Sequence, residues 1–212
     1  MNDTLELDLY DAPYKLIDMW IQRGDGQYLD KENDKDKELF RFIYYWIAFN
    51  QMYNFVSDFD EDKSETLRIK QFCDRYGRII FDSLDFDADY MKIFKERPIV
   101  KWFDMPGIYD WRQGEKGVEE FVRNRFKGRS NSRDFDKYCK DTAKNYVGIC
   151  NPRGSNSERA EALMLSIYRV RCNLFHGSKD PDRERNGRLI HSAAQILEII
   201  LPALKEEIFR RR

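Results

Sequence analysis

His176 and His191 are the only histidines in the chain, so imidazole chemistry has few places to sit. His176 closes the stretch Tyr168-Arg-Val-Arg-Cys-Asn-Leu-Phe-His-Gly177. Within and before it, Leu163, Ile167, Val170 and Leu174 follow a 4-3-4 spacing, which makes one apolar stripe along a helix. At about 100° per residue, Arg169, Cys172, Asn173 and His176 fall on the opposite side, and Arg171 flanks the stripe. Gly177 then ends the helix. Two arginines, an asparagine and a histidine within two turns suit phosphodiester chemistry in RNA. The ribose 2′-OH is a built-in nucleophile, so such a site requires neither metal nor cofactor. Histidine titrates near neutrality and moves a proton on or off oxygen. An arginine fork grips a phosphate and stabilises charge building on its non-bridging oxygens. The plainer reading is a helix-terminal histidine satisfying a last-turn carbonyl between surface arginines.

The elements that must position this stretch are helical. Glycine (11) and proline (6) are sparse and clustered, which favours long helices over many strands. The spacing predicts helices over about 8–22, 39–55, 64–84 (with Ser64 as N-cap), 87–96, 115–126, 132–147, 158–175 and 188–209. The helix over 39–55 is apolar nearly all round and is expected to be buried on most sides. Residues 98–114 carry two prolines, two glycines and several aromatics, and read as an irregular packed connection with short extended pieces. Residues 177–187 (GSKDPDRERNG) read as an exposed loop. The expected architecture is all-α: one domain over 1–212, with a core of about 36–58 and 156–210 and an insertion of about 60–155.

Composition bounds the partners. The 212 residues carry 37 Lys+Arg against 38 Asp+Glu, a net charge of −1, which argues against a globally basic nucleic-acid binder. Any attraction for phosphates must come from local cations. Basic runs stand at 123–133 and 210–212, with a solvated surface as their ordinary role. Cys73, Cys139, Cys150 and Cys172 show no C-x-x-C pair, so neither a zinc site nor a disulfide framework is indicated. The acidic, polar N-terminus is unlike a signal peptide, and no apolar run approaches the roughly 20 residues that span a bilayer. A reduced cytoplasmic protein with no membrane partner is expected.

Arg171-Cys-Asn-Leu-Phe-His176 resembles the R-x4–6-H motif of the HEPN superfamily, and RCNLFHGSK is similar to its Apea-like branch. The upstream Trp46-x-Ala-Phe-Asn-x-x-Tyr53 resembles the family's W-x-A-F-N-x-x-Y helix. The resemblance covers about 39–56 and 158–205 and leaves 60–155 unexplained. It implies a HEPN-type helical bundle, dimerised two-fold so that both copies of Arg171 and His176 line one composite, metal-independent ribonuclease cleft. It also implies RNA as substrate, tRNA included, and a role as a toxin or antiphage-defence effector under an antitoxin or sensor protein. The same resemblance admits a non-catalytic module that dimerises and binds RNA or protein. Cys172 stands where catalytic relatives usually carry a polar residue, and Asn173 is the candidate to supply that function. Both Arg171 (x4) and Arg169 (x6) satisfy the spacing. Helix geometry favours Arg169, while the family string makes Arg171 primary with Arg169 in support.

Other residues have smaller parts. Asn50 is a candidate to project toward the cleft, against a plain role as a buried amide. Lys179 is a candidate phosphate contact in its loop. His191 is read as structural or surface. The aromatic run 40–55 is read as core rather than a stacking platform, and the carboxylates of 58–62 as linker rather than a metal site.

Overall fold

A computed structural model describes residues 3–26, 34–57, 64–100, 109–125, 133–175 and 184–210. The described residues form eight α-helices and one 3₁₀ turn, with no strand among them. The order is α1 (Asp3–Gly24), α2 (Asp34–Val56), α3 (Glu65–Asp82), α4 (Asp89–Glu96), the turn Trp111–Gln113, α5 (Gly114–Arg125), α6 (Arg133–Cys150), α7 (Asn156–Phe175) and α8 (Glu184–Arg210).

Apolar pattern explains the packing. Helix α2 buries Phe42, Tyr45, Trp46, Ala48, Phe49, Met52 and Tyr53, and so lies at the centre with α1 and α8 against it. Helix α8 contributes Leu189 through Leu204 to the same core, and α7 adds Leu163, Met164, Ile167 and Val170. Aromatic contacts join these elements: Trp46 meets Tyr168 at 6.0 Å, and Phe49 meets Phe72 edge-on at 5.4 Å.

Helix starts follow their caps. Ser64 accepts from the Leu67 amide at 3.4 Å to open α3. Ser155 and Glu158 form a reciprocal capping box that opens α7: the Ser155 amide donates to the Glu158 carboxylate at 3.0 Å, and the Glu158 amide to Ser155 Oγ at 3.2 Å. Helix α8 starts at Glu184 rather than near 188. Arg185 and Asn186 are buried, so its first turn is held by packing that local loop composition does not reveal.

The middle section has hydrophobics of its own. Val100, Val118, Val122, Cys139, Ala143, Tyr146 and Cys150 form a second, smaller core between α5, α6 and the connection before them. Of the connection expected over 98–114, residues 101–108 lie outside the described residues, and Asp110 has extended backbone. The connection is tied by the Tyr109 amide bonded to the Glu96 carbonyl at 2.9 Å, and by the Tyr146 hydroxyl within reach of the carbonyls of Lys95 (2.9 Å) and Tyr109 (2.7 Å).

Helices α3 and α6 flank α7, both antiparallel to it. Gly77 of α3 lies against Ser157, where an added Cβ would stand 3.0 Å from Ser157 Cα. Gly148 of α6 lies against Ala162, where the corresponding distance to the Ala162 Cβ would be 2.7 Å. These two glycines let both helices close on the N-terminal half of α7. Toward its C-terminal half they leave a cleft.

Candidate functional site

The last two turns of α7 carry the residues singled out above, and α2, α3 and α6 decide what each can do. Arg171 faces α3. Its Nη1 lies 3.6 Å from Glu65 Oε2 and 3.9 Å from Cys172 Sγ, and its guanidinium stands 5.0 Å from the Phe175 ring. About a quarter of the side chain is exposed (27%). Burial is the largest influence and works against its charge, but Glu65, Cys172 and Tyr168 together outweigh it, and the pKa rises. The guanidinium is a fixed cation at every physiological pH.

Glu65 is the end of a longer chain of hydrogen bonds. Tyr53 Oη donates to Glu65 Oε1 at 2.6 Å and accepts from Asn50 Nδ2 at 2.7 Å. Asn50 Oδ1 in turn accepts from Asn54 Nδ2 at 2.6 Å, and Asn54 Oδ1 accepts from Arg68 Nη1 at 2.7 Å. Every link points its donor the same way, from the Arg68 guanidinium to the Glu65 carboxylate, an arrangement in which each bond polarises the next. Burial, and then the bond to Glu65, push the Tyr53 phenol far above its ordinary range, so it stays a donor. The string of α2 and the motif helix α7 therefore meet through Glu65, a residue that local pattern did not single out. Its partners lie 12 or more positions away in sequence, and only tertiary packing brings them together.

Arg169 points elsewhere. Two positions from Arg171, it is rotated by about 200° on an ideal helix, and it meets α6: its Nη1 bonds Thr142 Oγ1 and its guanidinium stacks 4.7 Å from the Tyr138 ring. Burial lowers its pKa, with Tyr138 and Asp141 opposing. It lines a cleft of about 300 Å³ together with Lys70, Lys137, Lys144, Tyr168 and Cys172. The two arginines allowed by the motif spacing thus serve two adjacent surfaces, with Cys172 at the boundary between them.

Asn173 departs from the expectation of an open polar face. It is 3% exposed, and its amide donates to the Val100 carbonyl at 3.3 Å. The reason is that α6 and the connection before α5 cover the side of α7 opposite the main stripe, so a residue placed there by periodicity is buried by a second layer. Asn50 is partly buried and committed to the chain just described. His191 sits half-exposed on α8, with Nδ1 2.7 Å from Glu38 Oε2 of α2. Arg123, in the first basic run, pairs with Glu119 at 2.8 Å and with Asp136. His176 and Lys179 lie outside the described residues, as do 58–62. Among the described residues, no three His, Cys, Asp or Glu side chains converge as metal ligands, and no helix is long and apolar enough to cross a membrane.

None of the known proteins compared with the chain matches it. That holds for family models, for curated proteins and for solved structures.

Proposed function

We propose that the protein is a metal-independent endoribonuclease of the HEPN type, with Arg171 and His176 as its catalytic pair. The observation that carries this reading is the setting of Arg171. It is partly buried at the end of α7, paired with Glu65, and held by a hydrogen-bonded chain running through the very helix whose W-x-A-F-N-x-x-Y string resembles the family's. A guanidinium fixed in this way and still partly open to solvent is suited to a phosphate's non-bridging oxygens. The exposed Phe175 beside it (57%) provides apolar surface where a second copy of α7 would meet the first.

In the reaction, the 2′-oxygen attacks the adjacent phosphorus and the P–O5′ bond breaks. Imidazole takes the 2′-OH proton, and protonated imidazole supplies one to the departing 5′-oxygen. The products are a 2′,3′-cyclic phosphate and a 5′-hydroxyl. Two copies of His176 across a two-fold axis would fill the base and acid roles, and two copies of Arg171 would share the charge on phosphorus. RNA, tRNA included, is the substrate class. Service as a toxin or antiphage-defence effector, restrained by an antitoxin or sensor protein, follows from the same resemblance.

The test is digestion of total RNA in EDTA by wild type beside His176→Ala and Arg171→Ala, with end-group analysis. Cleavage leaving cyclic phosphates, lost in both variants, is expected. Dependence on Mg²⁺, or undiminished cleavage by His176→Ala, would falsify the reading. RNA binding without cleavage by the wild type would favour the non-catalytic module.

A further inference from the structure

The cleft between α3, α6 and α7 is positively charged in a chain whose overall charge is −1. Four cations, Lys70, Lys137, Lys144 and Arg169, line it against a single carboxylate, Asp141. Lys70 and Lys144 share one further carboxylate loosely, at 3.8 and 3.9 Å from Glu161 Oε1. Among the described residues no ion pair engages Lys137 or Arg169. The Arg169 guanidinium is instead braced by Thr142 Oγ1 and by the face of Tyr138. A partly buried guanidinium with no ion pair among the described residues is favoured by an anion that completes it. The cleft adjoins the catalytic candidate, since Cys172 lines it and touches Arg171 Nη1 at 3.9 Å.

We propose that this cleft holds the backbone phosphates of a single-stranded RNA next to the linkage that Arg171 grips, with Lys137, Lys144 and Arg169 as the contacts. The inference rests on the ribonuclease reading for the identity of the ligand. It makes the α6 wall, which the motif does not include, the part that tracks the strand. An extended backbone fits better than a mononucleotide, because the cations line the walls on α3, α6 and α7 rather than surrounding one point.

The experiment measures anisotropy of a fluorescein-labelled 12-nucleotide oligouridylate with the full chain in the His176→Ala background, from 50 to 300 mM KCl. Lys137→Gln/Lys144→Gln is compared with Lys92→Gln/Lys116→Gln, which removes the same charge from α4 and α5. Loss of two single-strand phosphate contacts should lower the salt slope by about 1.4, and weaken binding about 10- to 30-fold at 100 mM KCl. The α4/α5 pair should bind as the parent does. Equal weakening in both pairs, no weakening in either, or no binding by the parent overturns the proposal. So does competition by polyglutamate as effective as that by unlabelled RNA. The two readings separate cleanly. Binding through Lys137 and Lys144 without EDTA-resistant cleavage by wild type sinks the nuclease and spares the cleft; cleavage with indifferent lysines does the reverse.

Discussion

Replacing Glu65 by alanine tests the network that holds Arg171. The substitution removes an ion pair at 3.6 Å, a hydrogen bond from Tyr53 at 2.6 Å and a longer one from Asn50 at 3.4 Å. A hydrogen bond to a charged group contributes about 1.5–3 kcal/mol. Glu65 and Arg171 retain 22% and 27% of their side-chain exposure, so solvent screens the pair and the lower part of that range applies. Summed over the ion pair and the strong Tyr53 bond, the loss is about 2–4 kcal/mol. For a chain of this size, each kcal/mol lowers Tm by roughly 2–4 °C, giving a fall of about 4–16 °C by differential scanning calorimetry. Glu65→Gln keeps an acceptor for Tyr53 and removes only the charge, so it should cost roughly half as much. A double-mutant cycle of Glu65→Gln with Arg171→Ala should show coupling of about 1–2 kcal/mol. A Tm within 1 °C of wild type for Glu65→Ala, or additive single effects in the cycle, would mean that Arg171 is not held by Glu65 in solution.

Other expectations follow from burial. The phenols of Tyr45, Tyr53, Tyr146 and Tyr168 are all raised, chiefly by burial. The unfolded chain therefore gives up these protons first, near the ordinary phenol pKa of about 10. Stability should be full below that pH and fall as pH rises beyond it. Absorbance at 295 nm should show fewer than the chain's 12 tyrosines ionising before unfolding; ionisation of all 12 with helicity intact would contradict this. Cys73, Cys139 and Cys150 are buried, and burial pushes the Cys150 thiol up to about 11. Ellman's reagent should thus modify Cys172 first, and a Cys172→Ser chain should react only once unfolded. Asn173→Ala removes the donor to the buried Val100 carbonyl, so it should cost about 1–3 kcal/mol of stability with little change in oligouridylate affinity; the opposite pattern would restore Asn173 to the binding surface.

Helix content was legible because its signals are local. Ser64 marked the start of α3, the dense apolar run of 39–55 marked the most buried helix, and Gly and Pro clusters marked the breaks. The candidate site was legible only in part. The 3.6-residue period sorts a helix into one buried and one open face, yet α7 is covered from two directions, so Asn173 is buried where that sorting left it open. The same period correctly separates Arg169 from Arg171, but which neighbour each one finds depends on α6 and α3, whose packing is set by Gly148 and Gly77. Glu65 was invisible for the same reason: nothing next to it in sequence hints at Tyr53 or Arg171.

The α6 wall of the cleft is anchored in the small core shared with α5, while the Glu65–Arg171 network belongs to the main bundle. Lys137, Tyr138 and Lys144 thus sit on a wall that resizing Val118, Val122 or Ala143 would shift, while the Arg171 guanidinium keeps its partner Glu65 on α3. On the proposed reading, which strand is held would be set largely by the α5–α6 side and the linkage attacked by the α3 side, and a transplanted α5–α6 unit would be the direct way to change the preference of the molecule.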